Sequence, residues 1–356
     1  MVEQTPTAGE TRSDDNNHVL LRVEHLRAYF RTSEGLARAV DDVSFELRKG
    51  QTLGVVGESG CGKSVTSLSI LRLLPEPPAE ILSGSRIVFE GRDLLALSPA
   101  EMRRIRGNKI SMIFQEPMTS LNPVFTIGDQ IGEVLRVHKG LSRREALDEA
   151  IRLLSIVHMP RPEERVRHYP HQLSGGMRQR VMIAMALACN PALLIADEPS
   201  TALDVTVQAQ ILSLMNELRA KFQSSIMLIT HDLGVIAEMC DEVIVMYAGQ
   251  VVEAAPVVEL FRRPLHPYTR GLMRCIPRPD DIRTGRRLYS IEGTVPAATN
   301  FPEGCRFHPR CPFATAECRR DVPPIIAAAP AHTVRCLWWE KIEAEQPANA
   351  IHANGR

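Results

Sequence analysis

The sequence predicts an α/β domain that is followed by a smaller extension of different character. Continuous apolar runs at residues 52–56, 192–196 and 226–229 are typical of strands in a parallel sheet that is covered on both faces. Segments with helical spacing lie between them: 64–74, 126–138, 142–157, 175–189 and 205–222. Beyond residue 253 the chain becomes rich in Arg, Pro and Cys and loses its periodicity. We therefore expect a hinge near 255–262 and a separate C-terminal extension.

The length of 356 residues is typical of two domains, or of one domain with a substantial extension. Residues 1–17 are polar, carry a net charge of −3 and are expected to form a disordered leader. The main domain is predicted over 18–258 and the extension over 259–356.

Composition excludes two broad classes. Lys+Arg and Asp+Glu number 42 each, so a globally polycationic nucleic-acid binder is not indicated, and we expect no nucleic-acid partner. The longest unbroken apolar run, 181–189, has nine residues, whereas a membrane-spanning helix needs about 20. The first residues lack the charged, apolar and small-residue pattern of a signal peptide, so we expect none. We expect a cytosolic protein whose membrane role must come through a partner.

A phosphate-binding loop is predicted at residues 57–64, where GESGCGKS matches G-x-x-x-x-G-K-[ST] after an apolar strand. Backbone N–H groups and the N-terminus of the following helix converge on phosphate oxygens in such loops. Lys63 is expected to reach the β- and γ-phosphates, and the Ser64 hydroxyl to ligate Mg²⁺. Cys61 is interpreted as a small tolerated residue. The predicted nucleotide-binding residues here are Gly57, Glu58, Ser59, Gly60, Cys61, Gly62, Lys63 and Ser64.

A second motif, LLIADE at residues 193–198, provides the expected acidic pair. The strand delivers Asp197 at its C-terminal end, where the carboxylate can hold Mg²⁺ through its water shell. Glu198 is then placed to polarise an attacking water. Such a pair is a weak signal alone and a strong one beside a phosphate-binding loop.

The segment 173–180, LSGGMRQR, begins a helix and resembles a further phosphate site, made by Ser174 and the amides of Gly175 and Gly176. Two such sites in one chain cannot surround the same nucleotide if they face opposite ways. A head-to-tail dimer with ATP between the chains is therefore expected. The alternative is a capped helix start that binds no ligand.

The LSGGMRQR segment is similar to the signature motif of ATP-binding-cassette (ABC) ATPases. The rest of that family's motif set follows in order: Gln115 resembles the Q-loop glutamine, 200–204 (STALD) the D-loop, His231 the switch histidine, and Phe30, or alternatively Tyr29, the adenine-stacking aromatic. The resemblance covers about residues 19–255. It implies a P-loop ABC-type nucleotide-binding domain, a RecA-like core with antiparallel β and α-helical subdomains, the latter at about 119–172.

The same resemblance implies a role for each matching residue. Gln115, Glu198 and His231 are the expected catalytic residues, with Glu198 as general base and His231 at the γ-phosphate. ATP is expected on Phe30 and on the loop 57–64. The implied Mg²⁺ residues are Ser64, Gln115 and Asp197. In a dimer, Ser174, Gly175 and Gly176 close over the partner's ATP, and Asp204 communicates between the subunits.

Three further segments resemble the ATPases of oligopeptide, dipeptide and nickel importers: EPMTSLNP at 116–123, HPYT at 266–269 and GCRFHPRCP at 304–312. The resemblance then spans nearly the whole chain. It implies an ATP-hydrolysing subunit that powers peptide import from the cytoplasmic face of the membrane. The implied partners are two transmembrane permease subunits, a second ABC ATPase, expected to be a paralogue, and an extracytoplasmic peptide-binding protein.

Two other functions stay open at this point. The same machinery could import nickel or another small solute, because the ATPase of such importers does not touch the substrate. A soluble cassette ATPase acting on nucleic acid or ribosomes is the rival from another class. Such proteins typically have two cassettes or a long coiled-coil insertion, and this sequence shows one cassette and no heptads.

Four cysteines crowd the extension with the spacing C-x5-C-x6-C-x17-C: Cys305, Cys311, Cys318 and Cys336. Zinc sites usually show paired C-x2-4-C knuckles, which are missing here, whereas four thiolates can hold a [4Fe–4S] cluster. The resemblance to peptide-importer ATPases favours the cluster, with Zn²⁺ or unligated thiols as alternatives. A structural role is expected, because a short Pro-rich segment has little core of its own. Redox sensing is the alternative role.

The segment 261–290 contains eight arginines and two aspartates. With few aromatic residues among them, these arginines are interpreted as a solvated linker beside the membrane, rather than as a binding site for nucleic acid or lipid headgroups.

Overall fold

The computed structural model describes residues 18–115, 120–199, 204–276 and 289–345. The predicted leader 1–17, the start of the 116–123 segment, most of the 200–204 segment and part of the arginine-rich segment lie outside the described residues.

The described strands form two sheets. They are β1 (Val19–Thr32), β2 (Gly35–Arg48), β3 (Thr52–Val56), β4 (Ala79–Ile81), β5 (Arg86–Phe89), β6 (Arg92–Asp93), β7 (Ile110–Ile113), β8 (Leu193–Asp197), β9 (Ser225–Ile229), β10 (Glu242–Tyr247), β11 (Gln250–Pro256), β12 (Ile326–Ala329) and β13 (His332–Val334). The five-stranded sheet has the order β2-β1-β5-β6, with β4 pairing β1. The eight-stranded sheet has the order β12-β13-β11-β10-β3-β9-β8-β7.

The helices interleave with these strands as the apolar pattern predicts. In the described residues the α-helices are Lys63–Ile70, Pro99–Ile105, Ile127–Lys139, Arg143–Ile156, Pro162–Arg165, Gly175–Leu187, Val205–Phe222, Leu233–Met239, Val257–Arg262, Pro267–Arg274, Ala316–Arg320 and Trp339–Glu345. Short 3-10 helices span Leu94–Ala96, Pro170–Gln172 and His308–Arg310. No helix in the described part of the chain combines the length and apolar character that a membrane span needs.

The parallel part of the larger sheet positions the candidate site. β10, β3, β9, β8 and β7 pair in parallel, and every residue of β3, β8 and β9 is buried. Both faces of these strands are covered, as continuous apolar runs predict. Parallel strands end at the same edge of a sheet. Consequently the loop after β3, Gln115 after β7, Glu198 after β8 and His231 after β9 all leave from one edge.

The antiparallel sheet covers the start of the cassette. The long hairpin of β1 and β2 carries inward side chains such as Leu21, Leu26 and Val43, which have no exposed surface. They share one apolar core with β3 and with Ile70 at the end of the first helix. This packing fixes the hairpin against the strand that leads into the phosphate-binding loop.

Three helices pack together beside the sheet: Ile127–Lys139, Arg143–Ile156 and Gly175–Leu187. The first two begin where the sequence supplies N-caps, Thr126 accepting from the Asp129 N–H and Ser142 forming a capping box with Glu145.

The extension is joined to the cassette's sheet, whereas the sequence led us to expect a separate unit. β13 pairs antiparallel with β11, with Glu253 opposite Val334. The Glu253 carboxylate has no exposed surface and accepts hydrogen bonds from the backbone N–H groups of Leu265 and His266 and from His332. A buried carboxylate needs such partners. The extension supplies these hydrogen-bond donors, and it is therefore packed against the sheet and not separate from it.

Arginines of the extension also depart from the solvated-linker expectation. Arg270 is 4% exposed and donates to the carbonyls of Pro264 and Ile342. Arg263 forms an ion pair with Glu343. These two arginines tie the segment after β11 to the C-terminal helix, so they belong to the packing of the extension.

Candidate functional site

The phosphate-binding loop needs glycine at two positions where the backbone lies against other strands. Gly57 has a φ of +154°, and a Cβ atom there would lie 2.2 Å from the carbonyl oxygen of Met246. Gly62 has a φ of +102°, and its Cβ would lie 2.5 Å from the carbonyl oxygen of Ala39. L side chains rarely adopt this conformation, and no atom fits at these distances. Glycine at both positions allows this tight loop. The loop leads directly into the helix that begins at Lys63, and a helix N-terminus of this kind binds anions.

Lys63 points into the loop. Its ammonium group donates to the carbonyl oxygens of Gly57 at 2.8 Å and Glu58 at 3.1 Å, and the residue is 6% exposed. Cys61 lies beside it with no exposed surface, and burial raises the pKa of its thiol. Cys61 thus packs as a small neutral side chain, while Lys63 places a positive charge where phosphate oxygens are expected.

Asp197 and Ser64 form a pair that fits a divalent cation. Ser64 hydrogen-bonds the Asp197 carboxylate, which is 4% exposed, and the other oxygen, Oδ1, has no hydrogen-bond partner in the described structure. Burial raises the pKa of Asp197, and the neighbouring charge of Glu198 acts in the same direction, while the Ser64 hydrogen bond and Lys63 act against them. A buried oxygen without a partner beside a hydroxyl is the donor set that Mg²⁺ prefers.

Gln115, Glu198 and His231 converge on one carboxylate oxygen. Gln115 Nε2 donates to Glu198 Oε2 at 3.3 Å, and His231 Nδ1 lies 3.4 Å from the same oxygen. The Glu198 backbone has a φ of +47°, and its N–H donates to the carbonyl of Ile229 at 2.9 Å. Non-glycine residues in this conformation are uncommon and recur at functional sites. The structure therefore brings the three predicted catalytic side chains together.

The signature residues lie at a helix N-terminus. Ser174 is exposed, and its hydroxyl accepts from the Met177 N–H at 3.4 Å. A Cβ on Gly176 would lie 2.7 Å from Val207, so this glycine allows the helix to approach its neighbour. Asp204, the described residue of the D-loop segment, caps the helix Val205–Phe222 by accepting from the Val207 N–H. The hydrogen bonds that Ser174 and Asp204 accept from Met177 and Val207 are thus local helix caps, and the exposed Ser174 is accessible to a partner.

The two aromatic candidates for adenine differ in their surroundings. The hydroxyl of Tyr29 donates to Asp41 at 2.6 Å, and burial together with this hydrogen bond raises the pKa of Tyr29 to about 12. Phe30 is half-buried in β1 and pairs with Ala37 and Ala79 in the neighbouring strands. Phe30 is the aromatic ring that is not engaged in this polar network, which favours it over Tyr29.

The extension also contacts the phosphate-binding loop, which the sequence motifs do not predict. The Glu58 N–H donates to the hydroxyl of Tyr268 at 2.9 Å, and the Glu58 carboxylate is bound by Arg310. Tyr268 belongs to the HPYT segment and Arg310 directly precedes Cys311, but no spacing rule connects either of them with residue 58. Only the tertiary structure reveals these contacts.

The four cysteines of the extension line one cavity, together with Phe307, Phe313 and Trp338: Cys305, Cys311, Cys318 and Cys336. Burial raises the pKa of Cys311 and Cys336 to about 12 each, so they are neutral thiols in this protein conformation. Among the described residues, no group of three or more His, Cys, Asp or Glu side chains is arranged to hold a metal ion. The cysteines therefore share a cavity without forming a closed ligand set.

Gly57→Ala is expected to reduce both folding stability and nucleotide binding. The added methyl meets a backbone carbonyl and the Cys61 sulfur at 2.6 Å, and overpacking of this kind costs about 1–3 kcal/mol. Urea unfolding and ATP titration measure the two effects. Gly50→Ala is the matched control, because Gly50 has a φ of +73° with no atom within 4 Å of a Cβ. Equal losses in both variants would show that conformation, and not close approach, requires the glycine.

Comparisons with known proteins agree with this geometry. The family model described as "ABC transporter" matches residues 40–201, and the one described as "Oligopeptide/dipeptide transporter, C-terminal region" matches residues 252–318. Among solved structures, the dimeric structure of a post-hydrolysis state of the ATP-binding cassette MJ0796 bound to ADP and Pi is similar with a TM-score of 0.60. It is 26% identical and covers 67% of this chain and 99% of its own.

Three curated relatives match along almost their whole length. The oligopeptide transport ATP-binding protein AppD of Bacillus subtilis (strain 168) is 54% identical over 92% of this chain and 99% of its own. The dipeptide transport ATP-binding protein DppD of the same organism is 52% identical over 92% and 96%. The oligopeptide transport ATP-binding protein OppD of Salmonella typhimurium is 49% identical over 92% and 96%.

The family that the motif set predicts is therefore confirmed, and the ABC ATPase fold with it. The parallel core, the loop after β3 and the convergence on Glu198 agree with that assignment. This chain belongs to the family of ABC transporter ATP-binding proteins, in the group that carries the oligopeptide/dipeptide transporter C-terminal region.

Proposed function

We propose that this chain is the ATP-hydrolysing subunit of an importer, and that ATP-driven dimerisation of the subunit powers the uptake of di- and oligopeptides. The observation that carries the proposal is the convergence of Gln115 and His231 on Glu198, at the sheet edge that also bears the phosphate-binding loop. The peptide substrate is supported by the relatives, which are oligopeptide and dipeptide transport proteins.

The nucleotide is held by groups whose geometry suits each part of it. The ring of Phe30 stacks on adenine, and the N–H groups of the loop with Lys63 bind the phosphates. Ser64 and the unpartnered oxygen of Asp197 would hold Mg²⁺, and Gln115 is a further predicted ligand. Bound Mg²⁺ supplies positive charge that offsets the charge of the phosphate oxygens.

Glu198 acts as the general base. Its carboxylate accepts the proton of the water that attacks the γ-phosphate, and Gln115 fixes the orientation of the carboxylate through the 3.3 Å hydrogen bond. His231 lies against the same oxygen and is 66% exposed, so its side chain can turn to contact the γ-phosphate. The strained backbone at Glu198 keeps the carboxylate at the edge of the sheet.

A second subunit completes the site. The exposed hydroxyl of Ser174 and the amides of Gly175 and Gly176 close over ATP bound to the partner, and Asp204 lies at the same interface. The dimeric structure of MJ0796, a bacterial ABC transporter cassette to which this chain is similar, supports this arrangement. The partner is expected to be a paralogous ATPase rather than an identical chain.

Three apolar side chains that lie near the Q-loop glutamine in the sequence are exposed, and together they define a candidate surface before the helix Ile127–Lys139. Phe114 is 39% exposed, Val124 71% and Phe125 52%, and exposed apolar groups of this kind mark interaction sites. We assign this surface to docking on two transmembrane permease subunits at the cytoplasmic face of the membrane. An extracytoplasmic peptide-binding protein delivers the substrate to these permeases.

A pull-down of the tagged chain from detergent-solubilised native membranes tests this function. The expected result is co-purification of two polytopic proteins, a related ATPase and an extracytoplasmic binding protein, whose ligand then identifies the substrate. A binding protein that selects nickel would change the substrate. Recovery with nucleic acid or ribosomal proteins, and without polytopic proteins, would contradict the transport function.

We also propose that the cavity lined by the four cysteines holds a [4Fe–4S] cluster, with Zn²⁺ as the alternative. The support is that all four side chains line one small cavity, and that a backbone hydrogen bond of 2.8 Å joins Cys305 N–H to the Cys318 carbonyl. Ligation would require the thiolate forms of the cysteines and a rearrangement of their side chains around the group. The bound cluster or metal ion would stabilise the extension, whose own apolar core contains few residues, among them Leu265, Val334 and Ile342.

Iron, acid-labile sulfide and zinc content of protein purified without oxygen test the metal proposal. Cys311→Ser is expected to lose the metal and to lower the thermal stability of the extension, because one of four ligands is missing. Cys189→Ser is the matched control, since Cys189 is a buried thiol outside the extension. Wild-type protein with neither iron nor zinc would show that the thiols are unligated.

A further inference from the structure

Glu58, the second residue of the phosphate-binding loop, is held at two points by the extension. Its backbone N–H donates to Tyr268 Oη at 2.9 Å. Its carboxylate accepts two hydrogen bonds from Arg310, Nη1 to Oε2 at 2.7 Å and Nη2 to Oε1 at 3.0 Å. Bidentate pairs of this kind fix direction as well as distance. Both the backbone and the side chain of Glu58 are thus positioned from outside the cassette motifs.

The two supporting side chains are themselves fixed. Tyr268 has no exposed surface, and its ring packs against Tyr247, with centroids 4.7 Å apart, and against Phe307 at 5.5 Å. The Arg310 side chain is 4% exposed, and its Nε donates to the Glu292 carbonyl at 2.9 Å. The hydrogen bond with Glu58 raises the pKa of Arg310 above its already high value, so this guanidinium stays charged. A rigid, permanent cation therefore faces the Glu58 carboxylate.

A second arginine anchors the same short segment to the cassette. Arg306 donates to the Ala248 carbonyl at 2.5 Å and forms an ion pair with Asp41 in β2. Ala248 and Gly249 form the turn between β10 and β11, and the Gly249 N–H donates to the Cys61 carbonyl of the phosphate-binding loop at 3.0 Å. The segment with Arg306 and Arg310 thus contacts both the loop and the turn that supports it.

The charge of Glu58 makes this support matter for nucleotide binding. The loop must accept the negatively charged phosphates of ATP, and an unpaired carboxylate on the loop itself would repel them. Arg310 cancels that charge. We propose that Arg310 and Tyr268 are positioning residues of the nucleotide site, which hold and neutralise Glu58 so that the C-terminal extension sets the ATP affinity of the loop. This inference rests on the proposed ATP binding.

Arg310→Ala separates charge compensation from mere packing. The variant leaves Glu58 unpaired, so its dissociation constant for ATP is expected to rise on the order of tenfold or more. KM should rise with it, and kcat should change less, because the contact exists before ATP binds. Adding Glu58→Gln to Arg310→Ala removes the uncompensated charge and is expected to restore most of the affinity. A purely structural role of Arg310 would show no such rescue.

Matched variants keep the test decisive. Arg320→Ala removes an exposed arginine from the same extension and is expected to bind ATP like the wild type. The only two tryptophans, Trp338 and Trp339, lie in the extension, so their fluorescence reports whether it stays folded. If Arg310→Ala does not fold, Arg310→Lys and Tyr268→Phe, which keep a charge and a ring respectively, are each expected to weaken ATP binding several-fold by losing one contact with Glu58.

The outcomes distinguish this inference from the proposed function. ATP binding by the wild type is measured first, and its absence would overturn the proposed function. If the wild type binds ATP, a folded Arg310→Ala protein with unchanged affinity, or a double variant without rescue, would overturn the positioning role. For the second set of variants, unchanged affinity in both Arg310→Lys and Tyr268→Phe would do the same.

Discussion

Glu198→Gln is expected to lower the turnover of ATP by about 10²–10⁴-fold while ATP binding is retained, because general-base catalysis contributes a factor of this size. The amide has nearly the same shape as the carboxylate but cannot accept the proton of the attacking water. The amide oxygen can still accept from Gln115, whose Nε2 lies 3.3 Å from the carboxylate oxygen in the wild type. Binding groups such as Lys63 and Ser64 are unchanged, so the closed dimer should accumulate with ATP.

Phosphate release measures turnover, and light scattering with ATP and Mg²⁺ measures the dimer. The assay uses the purified chain alone, or with its partner ATPase where only the pair turns over ATP. Glu217→Gln is the matched control, since Glu217 Oε2 lies 3.6 Å from His158 in an exposed carboxylate–histidine pair away from the loop. Wild-type turnover in Glu198→Gln would assign the base to another group. Loss of ATP binding would mean that Glu198 supports the nucleotide site rather than the proton transfer.

The convergence on Glu198 follows from features that are local in the sequence. Gln115, Glu198 and His231 each lie within two residues of the end of a largely apolar segment, and these segments form neighbouring parallel strands. Strand ends in a parallel sheet meet at one edge, so the motif order alone brings these side chains near each other. The glycine pattern of the loop is local in the same way, because each glycine is required by the backbone conformation at its own position.

The contacts of the extension could not be predicted by the same reasoning. Arg310 and Glu58 are 252 residues apart, and an ion pair across that separation leaves no periodic trace in either segment. Likewise, β13 pairs with β11 and brings His332 to the buried Glu253, and hydropathy does not reveal where a buried carboxylate finds its partners. The expectation of a separate extension was based on composition. The amino-acid composition changes beyond residue 253, but the extension still packs against the sheet through the pairing of β13 with β11.

Lys63→Ala is expected to weaken ATP binding by about 10- to 100-fold, because a hydrogen bond to a charged group contributes about 1.5–3 kcal/mol. The ammonium group lies between the carbonyl oxygens of Gly57 and Glu58, 2.8 Å and 3.1 Å away, and is the positive charge at the centre of the loop. Without it the loop N–H groups and the helix N-terminus must bind the phosphates alone. Titration with ATP and Mg²⁺ measures the affinity, and transport by the assembled complex should be lost.

Lys63→Met separates the charge from the packing of the side chain. Methionine fills much of the space of the 6%-exposed lysine stem without a positive charge, so we expect it to lose ATP binding as Lys63→Ala does while unfolding closer to the wild-type temperature. Lys109→Ala is the control, because Lys109 is 53% exposed and pairs with Glu90 on the surface. If Lys63→Met bound ATP normally, Lys63 would act by filling the loop. Its ammonium group would then not be the phosphate contact.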